Sequence, residues 1–94
     1  MSKVGRVKDK VCVITGGARG LGLAAAEALL AEGAKILITD IDQAEGEAQA
    51  KRLGERVAFR VQDVTVESQW EATLDAALQK FGRLDVLVNN AGIA

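Results

Sequence analysis

Four short apolar runs alternate with three longer segments of helical period, and this alternation constrains the fold of the 94-residue chain more than any other feature. The runs Val11-Cys12-Val13-Ile14, Ile36-Leu37-Ile38, Val57-Ala58-Phe59-Arg60-Val61 and Leu84-Asp85-Val86-Leu87-Val88 are mostly β-branched or Leu, as strands covered on both faces should be. Between them, residues 21–32 are Ala- and Leu-rich almost all round and stop at Gly33, which predicts the most buried helix. Residues 43–53 are mostly polar, with a narrow inner stripe at Ala44, Ala48 and Leu53, and Gly46 costs that helix about 1 kcal/mol relative to Ala. A third helix begins near Thr65 or Glu67, ends before Gly82, and carries Trp70, Leu74, Ala77, Leu78 and Phe81 on one face.

The order β-α-β-α-β-α-β with short connections predicts an α/β chain with a doubly wound parallel sheet and right-handed crossovers. No helix follows the fourth strand, so the sheet is short of cover and the chain is expected to be a piece of a larger domain. Twelve basic against 13 acidic residues leave a net charge of −1 and no electrostatic footprint for nucleic acid. A single Cys and no His exclude an internal disulfide framework and a conventional zinc site, and Cys12, set among valines, reads as an inert core thiol. The apolar stretch 11–15 is too short for a signal peptide, and no window approaches the roughly 20 residues of a membrane helix, so a cytoplasmic location without membrane partners is expected. The chain also has no Tyr, which with the missing His removes two of the commonest proton-transfer side chains.

The strongest site signal is Thr15-Gly16-Gly17-Ala18-Arg19-Gly20-Leu21-Gly22, which follows the first strand and opens the first helix. Glycines there let the backbone turn sharply and let a phosphate approach amides at a helix N-terminus. Gly20-x-Gly22-x-x-Ala25 matches the common dinucleotide fingerprint literally, but its first glycine lies five residues past the strand, so the match is treated as chance. No Gly-Lys-Ser/Thr follows, which excludes a Walker loop. Asp40 ends the second strand 18 residues beyond Gly22, where a carboxylate can accept hydrogen bonds from both adenosine ribose hydroxyls and repel a 2′-phosphate. That favours NAD over NADP. The alternative is that Asp40 starts the next helix, a task open to Asp42 as well.

The spacing Thr-Gly-x-x-x-Gly-x-Gly, followed in order by Asp40, Asp63-Val64-Thr65 and Asn89-Asn90-Ala91-Gly92, resembles the short-chain dehydrogenase/reductase family from about Lys8 to Gly92. The resemblance implies an incomplete Rossmann-type sheet of strand order 3-2-1-4. It also implies cofactor contacts at Gly16, Arg19, Gly20, Leu21, Gly22, Asp40, Ile41, Asp63, Val64, Asn90, Ala91 and Gly92. Asp63 and the Val64 backbone would meet the adenine, although Asp63 can equally tighten the turn into the third helix. Asn90 would line the ribose and nicotinamide side, Ala91 and Gly92 would let the cofactor pass close to the backbone, and Asn89 would hold the sheet. Arg19, just before the second loop glycine, resembles the pattern of NADP-using relatives and leaves dual use open.

Hydride exchange between nicotinamide and a small alcohol or ketone is the implied chemistry. In the family a Tyr general acid/base, the Lys of a Tyr-x-x-x-Lys motif and a Ser perform it, and no Tyr exists here. No catalytic or metal-binding residue is therefore assigned. Residues 1–94 are expected to be the N-terminal part of one NAD-binding domain, ending before the catalytic region, inactive alone and belonging to a homo-oligomeric enzyme. A free-standing nucleotide-binding or interaction module is the alternative. A methyltransferase using S-adenosylmethionine fits less well, because its loop glycines are spaced differently and Asn-Asn-Ala-Gly has no role there.

Overall fold

The computed structural model of the chain describes residues 7–90. Its elements are β1 (Val11–Thr15), α1 (Gly20–Ala31), β2 (Lys35–Asp40), α2 (Gln43–Leu53), β3 (Val57–Val61), α3 (Glu67–Phe81) and β4 (Val86–Asn89). The strands form one parallel sheet in the order β3-β2-β1-β4, as expected. Register sets Thr15 beside both Thr39 and Asn89, and Asp40 beside Val61, so the carboxyl ends of the strands finish level with one another. No helix among the described residues is long and apolar enough to cross a membrane.

Side chains alternate across a strand, so β1 and β2 feed two cores at once. On one face Cys12, Ile14, Ile36, Ile38 and Val57 pack with Ala26, Leu29, Leu30, Ala50 and Leu53 from α1 and α2. On the other, Val11, Val13 and Leu37 pack with Ala76, Ala77 and Phe81 of α3. Each fully buried Val or Ile contributes roughly 1.5–3 kcal/mol, and β1 and β2 hold most of them.

Helix faces depart from the expected stripes. In α2 the inward residues are Gly46, Ala50 and Leu53, while Ala44 and Ala48 are exposed. Gly46 is no mere propensity cost: a Cβ there would lie 1.9 Å from Phe59 Cε1, so the missing side chain lets the helix settle onto the β3 ring. In α3 the buried positions are Thr73 and Ala77, and Leu78 is 48% exposed. In α1 only Gly22 and Ala26 are fully buried and Leu21 is 80% exposed, so a helix apolar all round is nonetheless one-sided.

The fourth strand also differs from expectation. It is expected to be buried on both faces, yet Leu87 is 48% exposed: among the described residues β4 is an edge strand hydrogen-bonded to β1, and Val88 is its residue that packs against the core of Cys12, Ile14 and Ala26. Its start is fixed by Asp85, whose N–H donates to Val11 O at 2.9 Å while its Oδ2 accepts from Val11 N–H at 2.9 Å. Arg83 pairs with Asp85 Oδ1 at 2.7 Å, and this bond, with that from the Val11 amide, holds the Asp85 carboxyl below the usual carboxylate range. Cys12 is fully buried in β1 as expected, and burial, aided by the negative Asp85, pushes its thiol pKa up.

Candidate functional site

The loop after β1 turns because Gly16 and Gly20 adopt φ of +64° and +59°, in the left-handed region that side chains with a Cβ rarely enter. It then folds back against α1. A Cβ on Gly22 would stand 2.1 Å from Gly16 O and 2.9 Å from Asn90 Nδ2, so this position admits only glycine without displacing backbone. Asn90 Nδ2 donates to Gly16 O at 3.3 Å, tying the end of β4 to the loop. Arg19 occupies the N-cap of α1 without a side-chain cap, and the first turn carries no acidic residue. The orphan amides and the positive end of the helix dipole are thus left to an incoming anion.

Asp40 stands at the end of β2 with both carboxylate oxygens engaged: Oδ2 accepts from Ala18 N–H at 3.2 Å, and Oδ1 from Asp42 N–H at 3.1 Å. Asp42, and not Asp40, caps α2, its Oδ1 accepting from Glu45 N–H at 3.1 Å. That removes the helix-starting alternative for Asp40. Arg19 pairs with Asp42 at the surface, where such an ion pair is worth about 0–1 kcal/mol.

The turn after β3 gives Asp63 the tightening role directly. Its Oδ1 accepts from Thr65 Oγ1 at 2.6 Å and from Thr65 N–H at 2.9 Å, and these bonds lower its carboxyl pKa. Gln62 is fully buried, with Oε1 accepting from Thr73 Oγ1 at 3.0 Å and Nε2 without a partner.

A cavity of about 350 Å³ opens between these strand ends, lined by Gly16, Asp40, Ile41, Gln62, Asp63, Val64 and Thr65. Five of the residues singled out in the sequence therefore converge on it. Arg19, Gly20, Leu21 and Gly22 sit beside it on the loop and the start of α1, and Asn90 reaches it through Gly16. Ala91 and Gly92 lie outside the described residues. Asn89 has the sheet-holding part, its Oδ1 accepting from Thr15 Oγ1 at 3.1 Å. Gln62 was missed, and Thr65 was quoted in the Asp63-Val64-Thr65 run without a contact of its own, although both flank the carboxyl end of β3, where ligands of open α/β sheets bind. A slightly larger cavity of about 370 Å³ runs along β3 between Gln43, Glu47, Arg60 and Lys80, but it contains neither the glycine loop nor any predicted residue.

A model of the short chain dehydrogenases matches residues 10–94. The chain belongs to that family. Among its short chain dehydrogenase relatives, 3-hydroxyacyl-CoA dehydrogenase type-2 of Bos taurus is 53% identical over 88 residues, 94% of this chain and 34% of the relative. The 3-beta-hydroxysteroid dehydrogenase of Comamonas testosteroni is 47% identical over 88 residues, 94% of this chain and 35% of that protein. A crystal structure of 3-ketoacyl-(acyl-carrier-protein) reductase from Brucella melitensis complexed with NADH superposes with a TM-score of 0.83 at 36% identity, covering 86% of this chain and 34% of that one. The chain thus spans about a third of the length of the relatives it matches. Its sheet is the corresponding part of a Rossmann fold.

Proposed function

We propose that residues 1–94 are the N-terminal, NAD-binding part of a single domain in an oxidoreductase that exchanges hydride with a secondary alcohol or ketone. The observation that carries this is Asp40. Its carboxylate is anchored by the glycine-loop amide of Ala18 and by Asp42, it lines the cavity with Gly16, and α2 is capped without it.

The residues fit a dinucleotide. The Gly16–Gly22 contact makes a cradle that a Cβ would fill, and the uncapped start of α1 suits a pyrophosphate. Gly16, Gly20, Leu21 and Gly22 would hold the phosphates, Asp40 and Ile41 the adenosine ribose, Asp63 and Val64 the base, and Asn90, Ala91 and Gly92 the nicotinamide side. The acidic rim formed by Asp40 favours ribose hydroxyls over a 2′-phosphate, and Arg19, paired with Asp42, is not committed to a phosphate. When bound, the nicotinamide supplies the hydride donor or acceptor. The chain's own residues bind and orient; with no Tyr present, none is assigned to move the substrate proton, and the 94 residues alone should turn over nothing. The relatives' names, hydroxyacyl-CoA and hydroxysteroid dehydrogenases and a ketoacyl reductase, support a hydroxy or keto substrate.

Titration with NADH and NADPH tests this. Wild type should prefer NADH, and Asp40→Ala should weaken NADH binding by about 10- to 100-fold, the range of a hydrogen bond to a charged group, while weakening NADPH less. An unchanged NADH/NADPH ratio would leave Asp40 as a loop brace only.

A further inference from the structure

Arg60 is the one charged residue in the apolar run of β3, and the strand-end cavity makes no use of it. It shares a strand face with Ala58, two residues earlier, and Ala58 stands in register with Leu37 on the side of the sheet that α3 covers. From α3, Ala76 and Lys80, one helical turn apart, line the same space. Alanines at both Ala58 and Ala76 leave a gap between strand and helix, and because β3 is an edge strand the gap opens sideways as the cavity of about 370 Å³. It shares no lining residue with the cavity at the strand ends.

The electrostatics of this gap are unbalanced. Ion pairs among the described residues engage Arg19, Arg52 and Arg83, whereas Arg60 and Lys80 line the cavity without a carboxylate partner. Arg60 is half-buried, and its Nε is buried with no hydrogen-bond partner. A guanidinium that has lost water on one side and gained no acceptor in exchange is primed for one. A charge that only guards an open strand edge stands in water, and the Nε of Arg60 does not. Glu47, the acidic lining residue, is exposed and accepts from Gln43 Nε2 at 3.4 Å within its own helix. Two cations against one carboxylate leave a single positive charge in excess, beside a wall of Leu37, Ala58 and Ala76.

We infer that this cavity binds a small monocarboxylate with an apolar body. The carboxylate takes the forked guanidinium of Arg60 as its partner with Lys80 as a second cation, and the apolar body lies against Leu37, Ala58 and Ala76. The volume lies within the range of about 300–1,000 Å³ typical of small-molecule sites. A dianion meets Glu47 as well as the cations, and a neutral isostere leaves Arg60 unpaired. The inference does not depend on the nucleotide reading.

Benzoate, benzamide and phenyl phosphate share a ring and differ in charge, and amide shifts of the nitrogen-15-labelled protein report each of them residue by residue. Benzoate shifts should saturate and map to residues 58–61 and 76–80. Benzamide, read at the same amides, should bind at least about 10-fold more weakly, the value of a hydrogen bond to a charged group, and phenyl phosphate more weakly than benzoate. Arg60→Gln should weaken benzoate by about 10- to 100-fold. Ala76→Leu, which fills the gap and keeps both cations, should abolish saturation. Arg52→Gln removes a surface cation paired with Glu27 outside the cavity and should change nothing. Benzoate that never saturates, that maps to the glycine loop or that binds no better than benzamide overturns the inference. So does undiminished benzoate binding in Arg60→Gln or in Ala76→Leu, and the second variant decides alone if the first does not fold. Phenyl phosphate binding more tightly than benzoate overturns the assignment to a monocarboxylate.

Discussion

Asn90 Nδ2 donates to Gly16 O across 3.3 Å, and a Cβ on Gly22 would crowd both atoms, 2.1 Å from that same oxygen and 2.9 Å from the nitrogen. The residue after β4, the first glycine after β1 and the first turn of α1 therefore share one contact point. Two sequence-distant motifs, the glycine loop and the Asn pair, are parts of a single packing unit.

Gly22→Ala should therefore be costly. Inserting a methyl against fixed backbone destabilises by about 1–3 kcal/mol, and here it would also reopen the loop. Urea unfolding should show a lower midpoint, and NADH titration should show binding lost beyond what the stability change explains. A variant as stable as wild type would mean that the loop moves aside without penalty.

Gly46→Ala sets two effects against each other. Helix propensity gains about 1 kcal/mol, while the new Cβ, 1.9 Å from Phe59 Cε1, costs an overpacking penalty of about 1–3 kcal/mol. A net loss is expected in wild type and a net gain in a Phe59→Ala background. A double-mutant cycle by denaturant unfolding checks the reversal of sign.

The fold was legible where pattern and burial coincide, and much of the site was legible with it. β1 and β2 are apolar because helices cover both faces of the sheet around them, and the strand order follows from short connections; β3, expected to be covered on both faces, is instead an edge strand packed mainly on α2, half-buried along most of its length with Val61 47% exposed. The stripe of α2 was misread because Gly46 counts as polar punctuation in a sequence, whereas in the fold its lack of a side chain makes the contact with Phe59. Leu78 was misplaced because the inner face of α3 is built around Thr73, whose hydroxyl bonds to Gln62, and a hydrophobic count skips such a residue. Asp40 was visible from its spacing, but its separation of duties from Asp42 needed the coordinates. Gln62 carries no motif, only a position at a strand end.

Acid should act on two turns. Thr65 bonds lower the Asp63 carboxyl pKa, and Arg83 with the Val11 amide lowers that of Asp85. A carboxyl whose folded pKa lies below its unfolded value, about 3.9, contributes stability that is complete above that value and lost as pH falls through the folded pKa. Asp63→Asn and Asp85→Asn should each lower stability near pH 7 and flatten its decline below about pH 4. Circular dichroism across an acid titration decides this, and an unaltered acid limb would mean the bonds carry no linkage.

Cys12 should resist thiol reagents at neutral pH. It is fully buried in β1 and its thiol pKa is raised by burial and by Asp85, so labelling requires the strand to open. The labelling rate should follow global unfolding across denaturant concentration. Fast labelling without denaturant would mean that β1 is exposed well below the unfolding midpoint.

The thin support of β4 gives the loop a thermodynamic partner. This strand is hydrogen-bonded along one edge, to β1, and Asn90 at its end holds Gly16, so peeling β4 away also releases the loop. Any ligand that binds only the formed loop must then disfavour that peeled state by mass action. Occupancy should register as slower amide exchange along residues 86–89, through a strand that owes its order to the loop it steadies.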